Sequence, residues 1–146
     1  MALTARDLMK SPVVTIRPES TVIEAAKLMD KKDIGSLLVE DDTGIVGIIT
    51  EKDLLKRVIA RGISPDSTLV HEIMTRPIRT VDVDAGVDEI TEILEKYNIR
   101  RIPVTENNKI VGIITAGTLM NKLRYSYAKR RRDISMGEYY RPEYKK

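Results

Sequence analysis

The sequence contains no cysteine, which excludes disulfides, thiolate metal sites and a cysteine nucleophile. It has one histidine, His71, so no histidine cluster is available to hold a metal and no metal site is assigned. No apolar run approaches the roughly 20 residues that a membrane-spanning helix needs. Residues 1–7 also lack the apolar segment of a secretory signal, so a soluble, cytoplasmic protein without a membrane partner is expected. There is no glycine-rich phosphate loop with its lysine. Without metal, loop or histidine base, phosphate hydrolysis or transfer has no apparatus, and no catalytic residue is assigned. Nor is there a strong excess of one charge. The formal net charge is +3, but from residue 121 onward nine Lys or Arg stand against three Asp or Glu, a net +6 that leaves −3 for the body. A mildly acidic body with a basic end does not read as a uniformly cationic nucleic-acid binder.

What is present is enough to fold. A chain of 146 residues with 42% apolar content favours one compact unit with a real core. Its most informative stretch is Ile45-Val46-Gly47-Ile48-Ile49-Thr50-Glu51-Lys52-Asp53. The β-branched run reads as a buried strand, Gly47 leaves room for close backbone approach, and helix formers follow at once. Leu54, Leu55, Val58 and Ile59 form an apolar stripe, and Gly62 can end the helix in a left-handed conformation. Thr50 is then the N-cap. Two readings of Thr50 and Asp53 stand side by side: a capping box, or a helix start whose free N–H groups and threonine hydroxyl meet a phosphate while the carboxylate accepts a sugar diol.

Comparison of the chain with itself reveals a duplication. The offset between Met9 and Met74 is 65, and the same offset pairs Pro12 with Pro77, Thr15 with Thr80, Glu24 with Glu89 and Ile34 with Ile99. Residues 45–50 recur identically as residues 110–115. Each unit reads as a short lead-in helix, an extended piece after a proline, a helix, a hairpin and a closing helix, giving β-α-β-β-α. Thr21 and Glu24 form a capping box for a stripe of Val22, Ala25, Ala26 and Met29, and Gly86 replaces that cap before Val87, Ile90 and Leu94. A unit of about 60 residues is marginal alone, so the two should pack through their sheets. The expected division is repeat 1 at 3–62, a linker at 63–67, repeat 2 at 68–123 and a basic tail at 124–146 holding five of the six tyrosines.

The motifs Leu8-Met9-x-x-Pro12, Glu24-Ala25-Ala26, Gly47-x-x-Thr50-x-x-Asp53 and Ile99-Arg100-Arg101-Ile102-Pro103-Val104, in order and twice, resemble the CBS domain family, named after cystathionine β-synthase. The resemblance covers residues 3–123. It implies an α+β fold, a tandem CBS pair packed sheet to sheet, with two clefts that commonly take AMP, ADP, ATP or S-adenosylmethionine as regulatory ligands rather than required cofactors. It also implies homodimers paired through helices into a disc, and regulation of some other protein. Carried over residue by residue, Asp53 would hold the ribose and Thr50 the phosphate, with Lys52 among the ligand-binding residues. Val13, Val14, Thr15, Gly35, Ser36, Leu37 and Leu38 would form the adenine slot, and Arg100 and Arg101 would reach the phosphates from the other repeat. The alternative for these arginines is pairing with the Glu-rich helix 87–96.

A second, weaker site would comprise Thr115, Thr118, Ile78, Thr80, Ile102 and Pro103. Thr118 stands where the ribose aspartate belongs, and its cross-repeat phosphate partners would be Gly35 and Ser36. One good nucleotide site and one weak or empty site per chain are therefore expected. The alternative function is nucleic-acid binding through the tail, with Lys129, Arg130, Arg131 and Arg132 on phosphates and tyrosines stacked on bases. The plainer reading of the tail is a solvated helix end and an arm that packs on the body or on a second copy.

Overall fold

The capping pair at the first long helix forms as its spacing requires. Thr21 Oγ1 accepts the Glu24 N–H at 3.2 Å, and Glu24 Oε2 accepts the Thr21 N–H at 3.3 Å. The computed structural model describes residues 2–134, with side chains as far as residue 130, so the arm at 135–146 with Tyr139, Tyr140 and Tyr144 lies outside the described residues. Repeat 1 runs α1 (Ala5–Leu8), β1 (Thr15–Ile16), α2 (Val22–Lys32), β2 (Ser36–Asp41), β3 (Gly44–Thr50) and α3 (Glu51–Leu54), which continues as a π-helical segment at Leu55–Ile59. Repeat 2 runs α4 (Val70–Ile73), β4 (Val81–Asp82), α5 (Val87–Lys96), β5 (Arg101–Glu106), β6 (Lys109–Thr115) and α6 (Ala116–Ile134). The final helix passes through the basic run 129–132.

Each repeat makes a three-stranded sheet in chain order, the first pair parallel and the second antiparallel. The registers match across the duplication: Thr15 lies opposite Leu38 and Leu38 opposite Ile48, while Val81 lies opposite Val104 and Ile102 opposite Ile114. The second hairpin turns at Asn107 and Asn108, both left-handed at φ 51° and 64°, the geometry that a two-residue loop matching strand twist demands. In the helices the apolar spacing reads correctly: Val22, Ala25, Met29, Ile90 and Leu94 are buried.

The two lead-in helices depart from the repeat-by-repeat reading, because each is packed in the other repeat's core. Ala5 and Leu8 of α1 are fully buried with Val81, Ile90, Ile102 and Ile114 of repeat 2. Val70, Ile73 and Met74 close the core made by Val22, Leu37, Val39, Ile49 and Val58 of repeat 1. Backbone bonds fix both exchanges. Ala5 N–H donates to the Ala85 carbonyl at 2.8 Å, and Val70 N–H donates to the Ser20 carbonyl at 2.8 Å. Lys10 then bridges to Ile113 and Thr75 to Ile48 before the chain returns to its own sheet at β1 and β4. The crossing is close enough to favour glycine. A Cβ at Gly47 would meet Met74 Sδ at 2.6 Å and the Thr75 carbonyl at 3.1 Å, and one at Gly112 would meet Met9 Sδ at 2.5 Å and the Lys10 carbonyl at 3.0 Å.

The closing helix of repeat 1 is the other correction. It ends as expected, with Gly62 at φ 64°, but the π-helical turn, seen in the Ala60 N–H to Leu55 carbonyl bond at 2.8 Å, rotates the stripe. Val58 is buried, whereas Leu55 and Ile59 are 59% and 65% exposed.

The exchange predicts a displaced effect. Leu8→Ala should lower stability to urea by about 2–5 kcal/mol, and the lost hydrogen-exchange protection should fall on β4, β5 and β6. Loss confined to β1, β2 and β3 would show that the lead-in packs at home.

Candidate functional site

Where β3 gives way to α3, the backbone donors of the first helical turn need partners, and Thr50 and Asp53 supply them. Thr50 Oγ1 accepts the Asp53 N–H at 3.3 Å, and Asp53 Oδ2 accepts the Thr50 N–H at 2.9 Å and the Thr50 hydroxyl at 3.1 Å. The capping-box reading therefore holds. The Glu51 N–H donates to the Gly35 carbonyl at 3.1 Å, so two of the first three N–H groups of α3 are already engaged. The free N–H groups expected for an anion are thus largely occupied, and an anion here must be met chiefly by side chains.

Asp53 does more than cap. It is only 6% exposed, and its second oxygen, Oδ1, accepts the Thr75 hydroxyl at 3.1 Å and lies 3.6 Å from Arg57 Nε. Arg57 Nη1 in turn donates to the carbonyls of Ile73 at 2.9 Å and Met74 at 3.1 Å. One carboxylate thereby joins the end of β3, the start of α3 and the crossing segment behind α4.

Beside it opens a cavity of about 550 Å³. Repeat 1 contributes Ile48, Thr50, Lys52, Asp53, Lys56 and Arg57 to its wall. The crossing segment adds Thr75, Pro77, Ile78 and Arg79, and repeat 2 adds Tyr97, Asn98, Ile99, Arg100, Arg101 and Pro103. Ile48, Pro77, Ile78, Ile99 and Pro103 give it an apolar surface, as small-molecule pockets commonly have. The Arg79 guanidinium lies 3.4 Å from the centroid of the Tyr97 ring. Arg101 Nη2 donates to Glu51 Oε1 at 2.8 Å, an ion pair between repeats, while the buried Arg101 Nε has no hydrogen-bond partner among the described residues.

Thr50, Lys52, Asp53, Arg100 and Arg101 are thus brought to one cavity from two repeats. The apolar walls are not those read from the sequence. Val13, Val14, Thr15, Gly35, Ser36, Leu37 and Leu38 are absent from this lining, and Ile78 and Pro103, assigned to the second site, are in it. The crossing explains the difference: the extended piece that reaches Asp53 follows α4, so the piece following α1 belongs beside the twin helix start. Leu37 is spent in the core of repeat 1 and Ile102 in that of repeat 2, both essentially inaccessible, and Thr80 is exposed outside the cavity lining. At the twin start Thr115 Oγ1 accepts the Thr118 N–H at 3.1 Å, and the two hydroxyls lie 2.8 Å apart. The cap survives there without a carboxylate. Among the residues the sequence reading missed, Arg57 was signalled by its i+4 spacing from Asp53, whereas Thr75, Arg79 and Tyr97 had no local signal.

A model of the CBS domain matches residues 5–60 and again 70–125. The chain is 31% identical over 121 residues to hypoxic response protein 1 of Mycobacterium tuberculosis, covering 82% of this chain and 85% of that one. A solved structure of an uncharacterized conserved protein from Pyrococcus horikoshii superposes with TM-score 0.80 at 34% identity, covering 85% of this chain and 94% of the other. The hexameric CBS-CP12 protein of bloom-forming cyanobacteria gives TM-score 0.80 at 35% identity over 87% of this chain and 75% of that one.

The dual burden on Asp53 predicts a graded loss of stability. Asp53→Ala strands the Thr50 N–H and the Thr75 hydroxyl and should cost about 2–4 kcal/mol in urea unfolding. Asp53→Asn keeps an acceptor for the cap and should cost about 1 kcal/mol. Equal losses would mean that the charge, not the hydrogen bonds, holds the turn.

Proposed function

Because the chain belongs to the CBS domain family, we propose that it is a non-catalytic sensor whose cavity at Asp53 takes an adenosine-containing nucleotide and reports it to another protein. CBS-pair proteins are generally regulatory modules that often bind adenosine ligands. The observation that carries the reading is the meeting of Thr50 and Asp53 with Arg100 and Arg101 across one cavity that has an apolar side. The base lies against Ile48, Ile78 and Pro103, the diol on Asp53, and the phosphates among the arginines. Asp53 Oδ1 already accepts the Thr75 hydroxyl, so a ribose hydroxyl takes that place. The exchange loosens one tie between α3 and the crossing segment, which is how occupancy alters the packing of the repeats. That becomes allostery only where a partner distinguishes the two arrangements. The twin start, lacking a carboxylate at Thr118, binds weakly or not at all.

The same reading includes a homodimer. Leu55 and Met120, related by the repeat offset on the two closing helices, are 59% and 58% exposed, with Ile59 at 65% beside the first. Large apolar side chains at equivalent places on both helices suit a second copy of this chain placed helix to helix. The alternative of nucleic-acid binding has no support.

Isothermal titration with AMP, ADP and ATP tests the site. Asp53→Asn, checked by circular dichroism to be folded, should weaken binding at least about tenfold; unaltered affinity removes the ribose assignment. Sedimentation tests the dimer: Leu55→Glu with Ile59→Glu should yield monomers from a dimeric parent, and a monomeric parent ends the idea.

A further inference from the structure

Six cationic side chains line the cavity against one carboxylate. Lys52, Lys56 and Arg57 come from α3 and its π-helical continuation, and Arg79, Arg100 and Arg101 from the crossing segment and repeat 2, leaving the lining with a net charge of +5. Few of these charges are compensated from within. Arg57 is committed to Asp53 and the two carbonyls behind it, and Arg101 to Glu51, whose side chain is 68% exposed and does not line the cavity. Arg79 is spread over the Tyr97 ring, which leaves its charge in place. The side chains of Lys52, Lys56 and Arg100 make no hydrogen bond or ion pair among the described residues. Like charges gathered around one space repel, and three stand on each side of the boundary between repeats.

The charge of the missing partner follows from that arrangement. A nucleoside monophosphate brings about −2, and each further phosphate adds roughly one more. A monophosphate leaves most of the cations facing one another, while a sulfonium ligand adds to their repulsion. We infer that the cavity is built for a nucleoside di- or triphosphate, its polyphosphate chain neutralising cations of both repeats at once. The nucleoside half of this inference rests on the adenosine reading, whereas the polyphosphate half rests on the charges alone. Because two of the three leading N–H groups of α3 are engaged, side chains do the counting of phosphates.

Titration of the full chain with AMP, ADP, ATP and inorganic tripolyphosphate at low and high salt separates the two halves. ATP should bind at least about tenfold tighter than AMP, with the advantage shrinking as salt rises. In the double variant Lys52→Gln, Lys56→Gln, exposed positions whose loss leaves the fold intact, ATP should lose at least about tenfold more affinity than AMP does. Equal affinity for AMP and ATP overturns the inference and leaves the adenosine site standing. Tripolyphosphate bound as tightly as ATP supports the polyanion half while removing the adenosine reading. Binding of none of the four overturns both.

Discussion

Two reciprocal backbone bridges, Lys10 with Ile113 and Thr75 with Ile48, hold this molecule's design together. They lay the segment after each lead-in helix against the last strand of the other repeat, at a close approach where Gly47 and Gly112 spare the backbone a crowded Cβ. Because the helices ahead of them, α1 and α4, complete the partner's core, neither repeat has a closed interior of its own. Units of about 60 residues bury a small share of their surface, and the exchange makes their stability common property. The cavity follows from the same crossing, since a segment passing from one sheet to the other necessarily leaves a cleft bounded by both.

Asp53 shows how a helix cap and a cavity wall share one side chain. A carboxylate has two oxygens and about four acceptor positions. The cap uses Oδ2, so Oδ1 is left to face Thr75 and the cavity. At the twin position the Thr115 hydroxyl still accepts the Thr118 N–H, and Thr118 offers a hydroxyl, with no charge, where Asp53 has its carboxylate. The two copies therefore share a threonine hydroxyl that caps the N–H three residues on, and the carboxylate stands in the first copy alone. That asymmetry is chemical and lies outside the backbone, whose registers agree strand for strand.

Much of this was legible in the sequence because it is local or periodic. The offset of 65, the capping residues Thr21 and Thr50, the left-handed Gly62 and the buried faces of α2 and α5 each depend on residues a few positions apart. The exchange of lead-ins was not legible, because the offset is the same whether Leu8 packs on its own sheet or on the other. For that reason the local pattern puts Val13 and Val14 beside Asp53, where the fold brings Ile78 and Pro103. The rotation of Leu55 and Ile59 outward was hidden as well. A π-helical turn changes the period by which an apolar stripe is read, and nothing in Leu55-Lys56-Arg57-Val58-Ile59 announces it.

The distribution of charge around the cavity bears on what kind of signal the molecule can give. If the cations belonged to one repeat, a bound anion would be retained without consequence for the boundary between the repeats. Here they are divided between α3 and the segment from Arg79 to Arg101, so the free energy of neutralisation depends on how close the two sides stand. A ligand shifts a conformational equilibrium only by its differential affinity for the two states. Divided charges would supply that difference on the proposed function, because any arrangement that brought the two sides closer would repel more without an anion and gain more with one. On the proposed function, the bond between Asp53 and Thr75 would act in the opposite sense, since a diol taking that place on Oδ1 would release the crossing segment. The two effects together would let an occupied cavity exchange a local tie for a broader electrostatic one.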